Sequence, residues 1–205
     1  FNGVFNCPNL TSVGNGAFYD SKFTGDFNFP NLSTVGNQAF RNSVFDGEFN
    51  CQNLQTVGIN AFENSVFDGA FECPNLKSVA FQAFRYSVFD GVFNCPNLTS
   101  VGDNAFSHSV LNGAFECQNL QKVGSSAFYY SVFNGVFNCP NLQTVGDYAF
   151  YYSNFDTITI GANATLGTNC IGAHSAEFIN DYAANGKLAG TYVWDEATQH
   201  WIYQN

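Results

Sequence analysis

The chain has 205 residues, enough for one domain with a sizeable buried core. Its formal net charge of -10 excludes a surface built to neutralise nucleic-acid phosphates or an anionic membrane, both of which need Lys and Arg. No run of about twenty apolar residues is present to cross a bilayer as a helix, while 24 Phe against no Met mark an unusual core.

A 22-residue unit starts at residues 1, 23, 45, 67, 89, 111 and 133, so that seven copies fill 1–154 without spacers. A fixed period of this size is the signature of a solenoid, in which each unit packs only on its neighbours. The chain opens inside the pattern and is read as part of something longer.

Within a copy, Phe5 and Cys7 alternate with Val4 and Asn6, the period of a short strand with one buried face. Asn9 recurs in every copy (Asn31, Asn53, Asn75, Asn97, Asn119, Asn141), and its amide is expected to satisfy backbone groups of neighbouring loops. That ladder is expected to be buried, which makes the N-x-S/T sequons at Asn9, Asn31 and Asn97 coincidental, as at Asn163. Leu10, Val13 and a bend at Gly14 follow. The segment x-x-Ala-Phe-x-x-Ser is too short for an independent helix and is expected to form one tight helical turn. The repeated Phe at position 18 should stack as an aromatic spine.

Position 7 holds Cys7, Cys51, Cys73, Cys95, Cys117 and Cys139, with Phe29 in the second copy. Paired zinc spacings such as C-x2-C are absent, and stacked neighbours would present parallel Cβ vectors that disfavour disulfides. A slot that accepts Phe is apolar, so these thiols are read as a packing ladder.

The run L-x-x-V-G-x-x-A-F-x-x-S, with a strand and an Asn-Leu pair, resembles the BspA-type (treponemal-subfamily) leucine-rich repeat. Ser21 and its equivalents stand where that family usually has Cys, and Phe replaces most of its Leu and Ile. The resemblance covers essentially the whole chain. It implies a parallel-strand solenoid that is secreted or on a bacterial cell surface, with protein-binding or adhesive roles. The fold expected is therefore a leucine-rich-repeat-like right-handed solenoid, with a parallel sheet of short strands and short helical turns.

Beyond the seven copies, 155–171 reads as a degenerate eighth coil shortened by one residue, with Ile158 and Ile160 as its buried pair. Residues 172–205 read as a C-terminal cap. It comprises a helix started by Ser175 and stopped at Asn185-Gly186, then strands at 191–194 and 201–203. Such a unit covers the last apolar rung and the open strand edge.

Strand parity turns positions two, four and six outward. They carry Asp26, Asp46, Glu48, Asp68, Glu72, Asp90 and Glu116, while all six Lys and Arg lie at other positions. This strand face is either a solvated surface that keeps an aromatic-rich protein soluble or a docking strip for a basic protein, such as a host surface or matrix protein. A calcium ladder along Asp46, Asp68 and Asp90 supplies too few oxygens around any one point, so no metal or cofactor is expected. A weaker candidate is the aromatic flank of Tyr129, Tyr130, Tyr151 and Tyr152, suited to protein or sugar contact, though packing beneath the cap or flanks also accounts for such residues.

Catalysis has little support: His108, His174 and His200 are isolated, and no repeated Ser has a base beside it. The function expected is a non-enzymatic cell-surface or secreted binding module acting through the outward strand face. The alternatives are a structural spacer or stalk and a carbohydrate-binding module using the tyrosines.

Overall fold

The computed structural model describes residues 1–154 and 156–204. Each 22-residue copy makes one coil, and the coils stack through three parallel sheets rather than one. The first sheet has seven strands, typified by Val88–Phe89 at the junction of successive copies. The second has six, typified by Phe93–Asn94, and the third has eight, typified by Ser100–Val101. Register is one period throughout: Val88 lies between Val66 and Val110, and Phe93 between Phe71 and Phe115. Two-residue strands are marginal alone. Here each is held on both sides by an identical neighbour, which is how a repeat array obtains its stability.

The core is built from three Phe columns. Rings of position 1 stack along the axis (Phe67 on Phe89, 4.7 Å), as do those of position 5 (Phe71 on Phe93, 5.0 Å) and position 18 (Phe62 on Phe84, 5.1 Å). Between columns the rings meet edge to face: Phe67–Phe71 at 88° and Phe71–Phe84 at 86°. Both arrangements suit the ring quadrupole, and one coil geometry repeats them along the stack, with Leu111 interrupting the position-1 column in the sixth copy. Leu98, Val101, Ala105 and their equivalents complete an interior that excludes water.

The segment expected to be helical is not. Among residues 82–87, the N–H groups alternate in direction. Those of Ala83, Arg85 and Ser87 bond back to Ala80, Gln82 and Phe84 in the same coil, and those of Gln82, Phe84 and Tyr86 bond to Asp103, Ala105 and Ser107 in the next. A helix satisfies only itself, whereas this chain of turns also ties coil to coil. The geometry requires a left-handed residue at positions 16 and 20, filled by Gln82 and Tyr86, Asn104 and His108, Ser126 and Tyr130.

The recurrent Ser at position 21 closes the remaining gap. Ser87 Oγ donates to the Phe62 carbonyl (2.6 Å) and accepts the Ser65 N–H (3.3 Å), and the pattern repeats along the stack. These hydroxyls are buried backbone partners, not nucleophiles. Cys51, Cys73, Cys95, Cys117, Cys139 and Cys170 are free and buried, and Phe29 is buried in the same column. Burial pushes the Cys73, Cys95, Cys117 and Cys139 thiols well above the ordinary value, and Cys170 up to about 12. The Asn ladder behaves as expected in bonding but not in burial. Asn53 and Asn75 donate to the carbonyls of Pro30 and Gln52 in the preceding coil, yet Asn9, Asn31, Asn97 and Asn163 are all exposed, so their sequons are not shielded.

The regular stack ends where the eighth coil departs from it; the first residue of that coil, 155, lies outside the described residues. Thr157–Ile160 leaves the parallel pattern to pair antiparallel with Gly190–Asp195, which pairs in turn with His200–Gln204. The helix Ser175–Ala184 (α1) packs over this hairpin, burying Phe178 and Tyr182 against Tyr192 and Trp201. Ser175 does not cap the helix: its Oγ accepts the Ile171 N–H at 2.6 Å. Asn185 closes the helix as expected, with Gly186 left-handed after it.

Candidate functional site: an acidic corner and an aromatic column

Strand parity holds: Phe45 and Phe49 point in, and Asp46 and Glu48 point out. The single acidic strand face does not. Each coil turns between the first and second sheets at positions 3 and 4, so the seven acids follow a corner. Asp46, Asp68 and Asp90 lie at the end of the first sheet, Asp26 and Glu48 on the turn, and Glu72 and Glu116 on the outer surface of the second sheet.

The corner is tight because of glycine. A Cβ on Gly91 would stand 2.5 Å from the Gly69 carbonyl carbon, so each coil rests on the backbone of the one before. The acids are thereby displayed at the coil repeat, on a support that cannot relax. Among the described residues none of the seven forms an ion pair. Their hydrogen bonds are local: Asp26 Oδ1 accepts the Glu48 N–H, and Asp90 Oδ1 accepts from Asn112 Nδ2 at 2.6 Å.

The cations are elsewhere, with one exception. Arg41 and Arg85 flank the nearly buried Glu63 at 3.0 and 3.9 Å, and Asn60 Nδ2 also donates to it. The Arg41 Nε–H is not aimed along its short contact, which is therefore ionic rather than a hydrogen bond. Lys77 and Lys122 sit at or beside the third sheet. Lys22 does share the outer surface of the first sheet, beside the end of the corner that carries Thr24 instead of Asp.

The tyrosines form neither a buried layer nor an open platform. Position 20 builds a column in which Tyr86, His108, Tyr130 and Tyr152 stack at 4.9, 5.3 and 4.5 Å. Tyr129 and Tyr151 run beside it, half-buried, with Tyr129 edge-on to Tyr130. Desolvation between rings, then the nearby Arg85 charge, lowers His108. Desolvation followed by the neighbouring phenols raises Tyr129, and the hydrogen bond with Tyr152 leads the rise at Tyr151. Within the column His108 and Tyr130 have both ring faces covered by their neighbours. Sequence reasoning missed His108 as a member of this column and Glu63 as an ionic clasp. The signal was there in the fixed 22-residue offset from Tyr86 to His108 to Tyr130.

Among the described residues no cluster of three metal-ligating side chains exists. His200 Nδ1 lies 3.0 Å from Asp181 Oδ1, but the other carboxylate oxygen accepts the Trp201 N–H, so the pair fastens the hairpin to the helix. Among the described residues no helix is long and apolar enough to cross a membrane.

A family model described as the BspA type leucine-rich repeat region matches in six copies, over residues 4–101 and 75–176, and the chain belongs to that family. No curated protein and no solved structure matches the chain. The family is typically bacterial and surface-associated, and its solenoids are generally non-catalytic scaffolds for protein interaction.

Proposed function

We propose that this BspA-type leucine-rich repeat chain is a non-enzymatic extracellular or cell-surface binding module that recognises a basic protein segment along its acidic corner. The observation that carries the reading is the set of seven outward carboxylates, without ion pairs among the described residues, on a backbone fixed by glycine contacts. Unneutralised charge of one sign on a rigid support steers and orients an oppositely charged partner at little ordering cost. The mutual covering of the tyrosine faces favours this over sugar recognition, which uses open ring faces.

The test is a binding screen against matrix proteins, host surface receptors and a glycan array at low and physiological salt. A protein hit that weakens with salt and is lost in the Asp46→Asn, Asp68→Asn, Asp90→Asn variant supports the corner. A glycan hit lost on substituting Tyr129 and Tyr152 transfers the function to the aromatic flank, and silence throughout leaves a spacer.

A further inference from the structure

One column of the corner does not stop with the array. Position 2 reads Asp46, Asp68, Asp90, Asn112, Asn134 and, one further period on, Asp156. From Asp90 to Asn134 the side chains are linked: Asn134 Nδ2 donates to Asn112 Oδ1 (2.7 Å), and Asn112 Nδ2 donates to Asp90 Oδ1 (2.6 Å). A carboxylate can only accept, so Asp90 fixes the direction of both amides. Their carbonyl ends point toward the C-terminus, and among the described residues Asn134 Oδ1 receives no bond.

Between Asn134 and Asp156 the column opens into a cleft of about 390 Å³, lined by Phe133, Gly135, Val136, Phe137 and Thr157 as well as the two polar residues. It lies where Thr157–Ile160 pairs antiparallel with Gly190–Asp195, while Thr165–Leu166 of the same coil still extends the third sheet. There the Asn154 side chain accepts the Phe133 N–H (2.8 Å) and donates to the Phe133 carbonyl (3.3 Å). A second cleft of about 260 Å³ adjoins it across Asn154 and Asp156, walled by His174, Trp194 and Glu196. Trp194 is fixed there by stacking on His174 at 3.7 Å and by its Nε1–H bond to Glu196. Apart from His174, the described ionisable groups around the two clefts are carboxylates, Asp156 and Glu196.

We infer that the first cleft is an anchor for one cationic side chain, a lysine ammonium or arginine guanidinium, belonging to the same basic segment that lies along the corner. The inference rests on the reading above and specifies where that segment is held. The cleft offers acceptors, Asn134 Oδ1 and the Asp156 carboxylate, over an apolar floor from Phe133, Phe137 and Val136. A cationic head on an aliphatic stem matches both parts. An anionic ligand would be repelled by the Asp156 carboxylate, and a neutral apolar one would strand the acceptors.

The test follows the isotope-labelled full chain by NMR during titration with an alternating Lys-Ser peptide and with its Glu-Ser counterpart. The expected result is that the Lys peptide alone binds, shifting the Thr157 amide and the Asn134 side-chain amide. Asp156→Asn should then weaken binding about ten- to hundredfold, the size of a lost charge-assisted bond. The Asp46→Asn, Asp68→Asn variant, which keeps Asp90 to orient the two amides, should bind more weakly while still showing the cleft shifts. Binding by Asp156→Asn equal to the parent, or shifts confined to the 46–90 stretch, would overturn the anchor and leave the corner standing. Cleft shifts with undiminished affinity in that double variant would uphold the anchor and remove the corner. No response to the Lys peptide would remove both.

Discussion

The array and the unit that closes it solve the same problem in opposite ways. Inside the array the same contact recurs from coil to coil, as with Phe71 on Phe93 and Ser87 on the Phe62 carbonyl. Inside the closing unit no contact is repeated. Tyr182 Oη donates to the Gly161 carbonyl and accepts the Ala164 N–H, a single arrangement that ties α1 to the eighth coil. The array is stable through a sum of equal steps, the closing unit through individual pairings.

The sharpest way to break that contrast is at the glycine corner. Gly91→Ala places a Cβ within 2.6 Å of three backbone atoms of the preceding coil, with no flexible side chain to move. We expect a loss of more than about 4 kcal/mol in urea unfolding, whereas Gly14→Ala, which meets nothing within 4 Å, should change little. Next in size is Phe93→Ala. It opens a void between two stacked partners and should cost about 3–5 kcal/mol by the same measurement. The same substitution at Phe1, half-exposed on the first coil, should cost far less.

Single polar groups separate the two regions more finely. Ser87→Ala removes a bond at each side of one step, and Tyr182→Phe removes two within the closing unit. Each should cost about 1–3 kcal/mol. Hydrogen exchange should locate the first loss at 62–65 and the second at Gly161 and Ala164.

The smallest effect per group is alkaline. The thiols of Cys73, Cys95, Cys117 and Cys139 are raised in the folded chain, so above the ordinary value of 9.0 the unfolded chain binds fewer protons than the folded one. Stability is then fully present below pH 9 and falls as pH rises, by up to about 1.4 kcal/mol per thiol for each pH unit. A Cys95→Ala variant should show a shallower decline in thermal melts between pH 9 and 10.5.

Much of this was legible in the residues. The period, the inward set of Phe, Cys, Leu and Val, and the closing helix and hairpin all follow from spacing and turn chemistry. The three-sheet cross-section was not legible, because two-residue strands such as Ser100–Val101 are too short to show alternation. The helical reading of the x-x-Ala-Phe-x-x-Ser segment failed for a related reason. Gln82 and Tyr86 are poor candidates for left-handed backbone, and the bonds they allow to the next coil account for their conformation. The acids were found by parity, but their placement on a corner depended on a turn between Asp46 and Glu48 that parity does not see. The cleft was hidden in a deletion: Asp156 keeps the column's register while the strand after it leaves the stack.

The Asn154 clasp on Phe133 carries one more consequence. A stack of near-identical coils has no intrinsic length, since each new coil presents the surface that received the last. A side-chain amide bonded to both backbone groups of Phe133 acts as a terminator at that edge of the sheet. Upstream of it, copy number is free to change. Unequal exchange within the repeated coding sequence, adding or removing 22 codons, would place every surviving coil against a neighbour it already fits. The acidic corner can thus be lengthened or shortened in whole-coil steps without altering the cleft at its end.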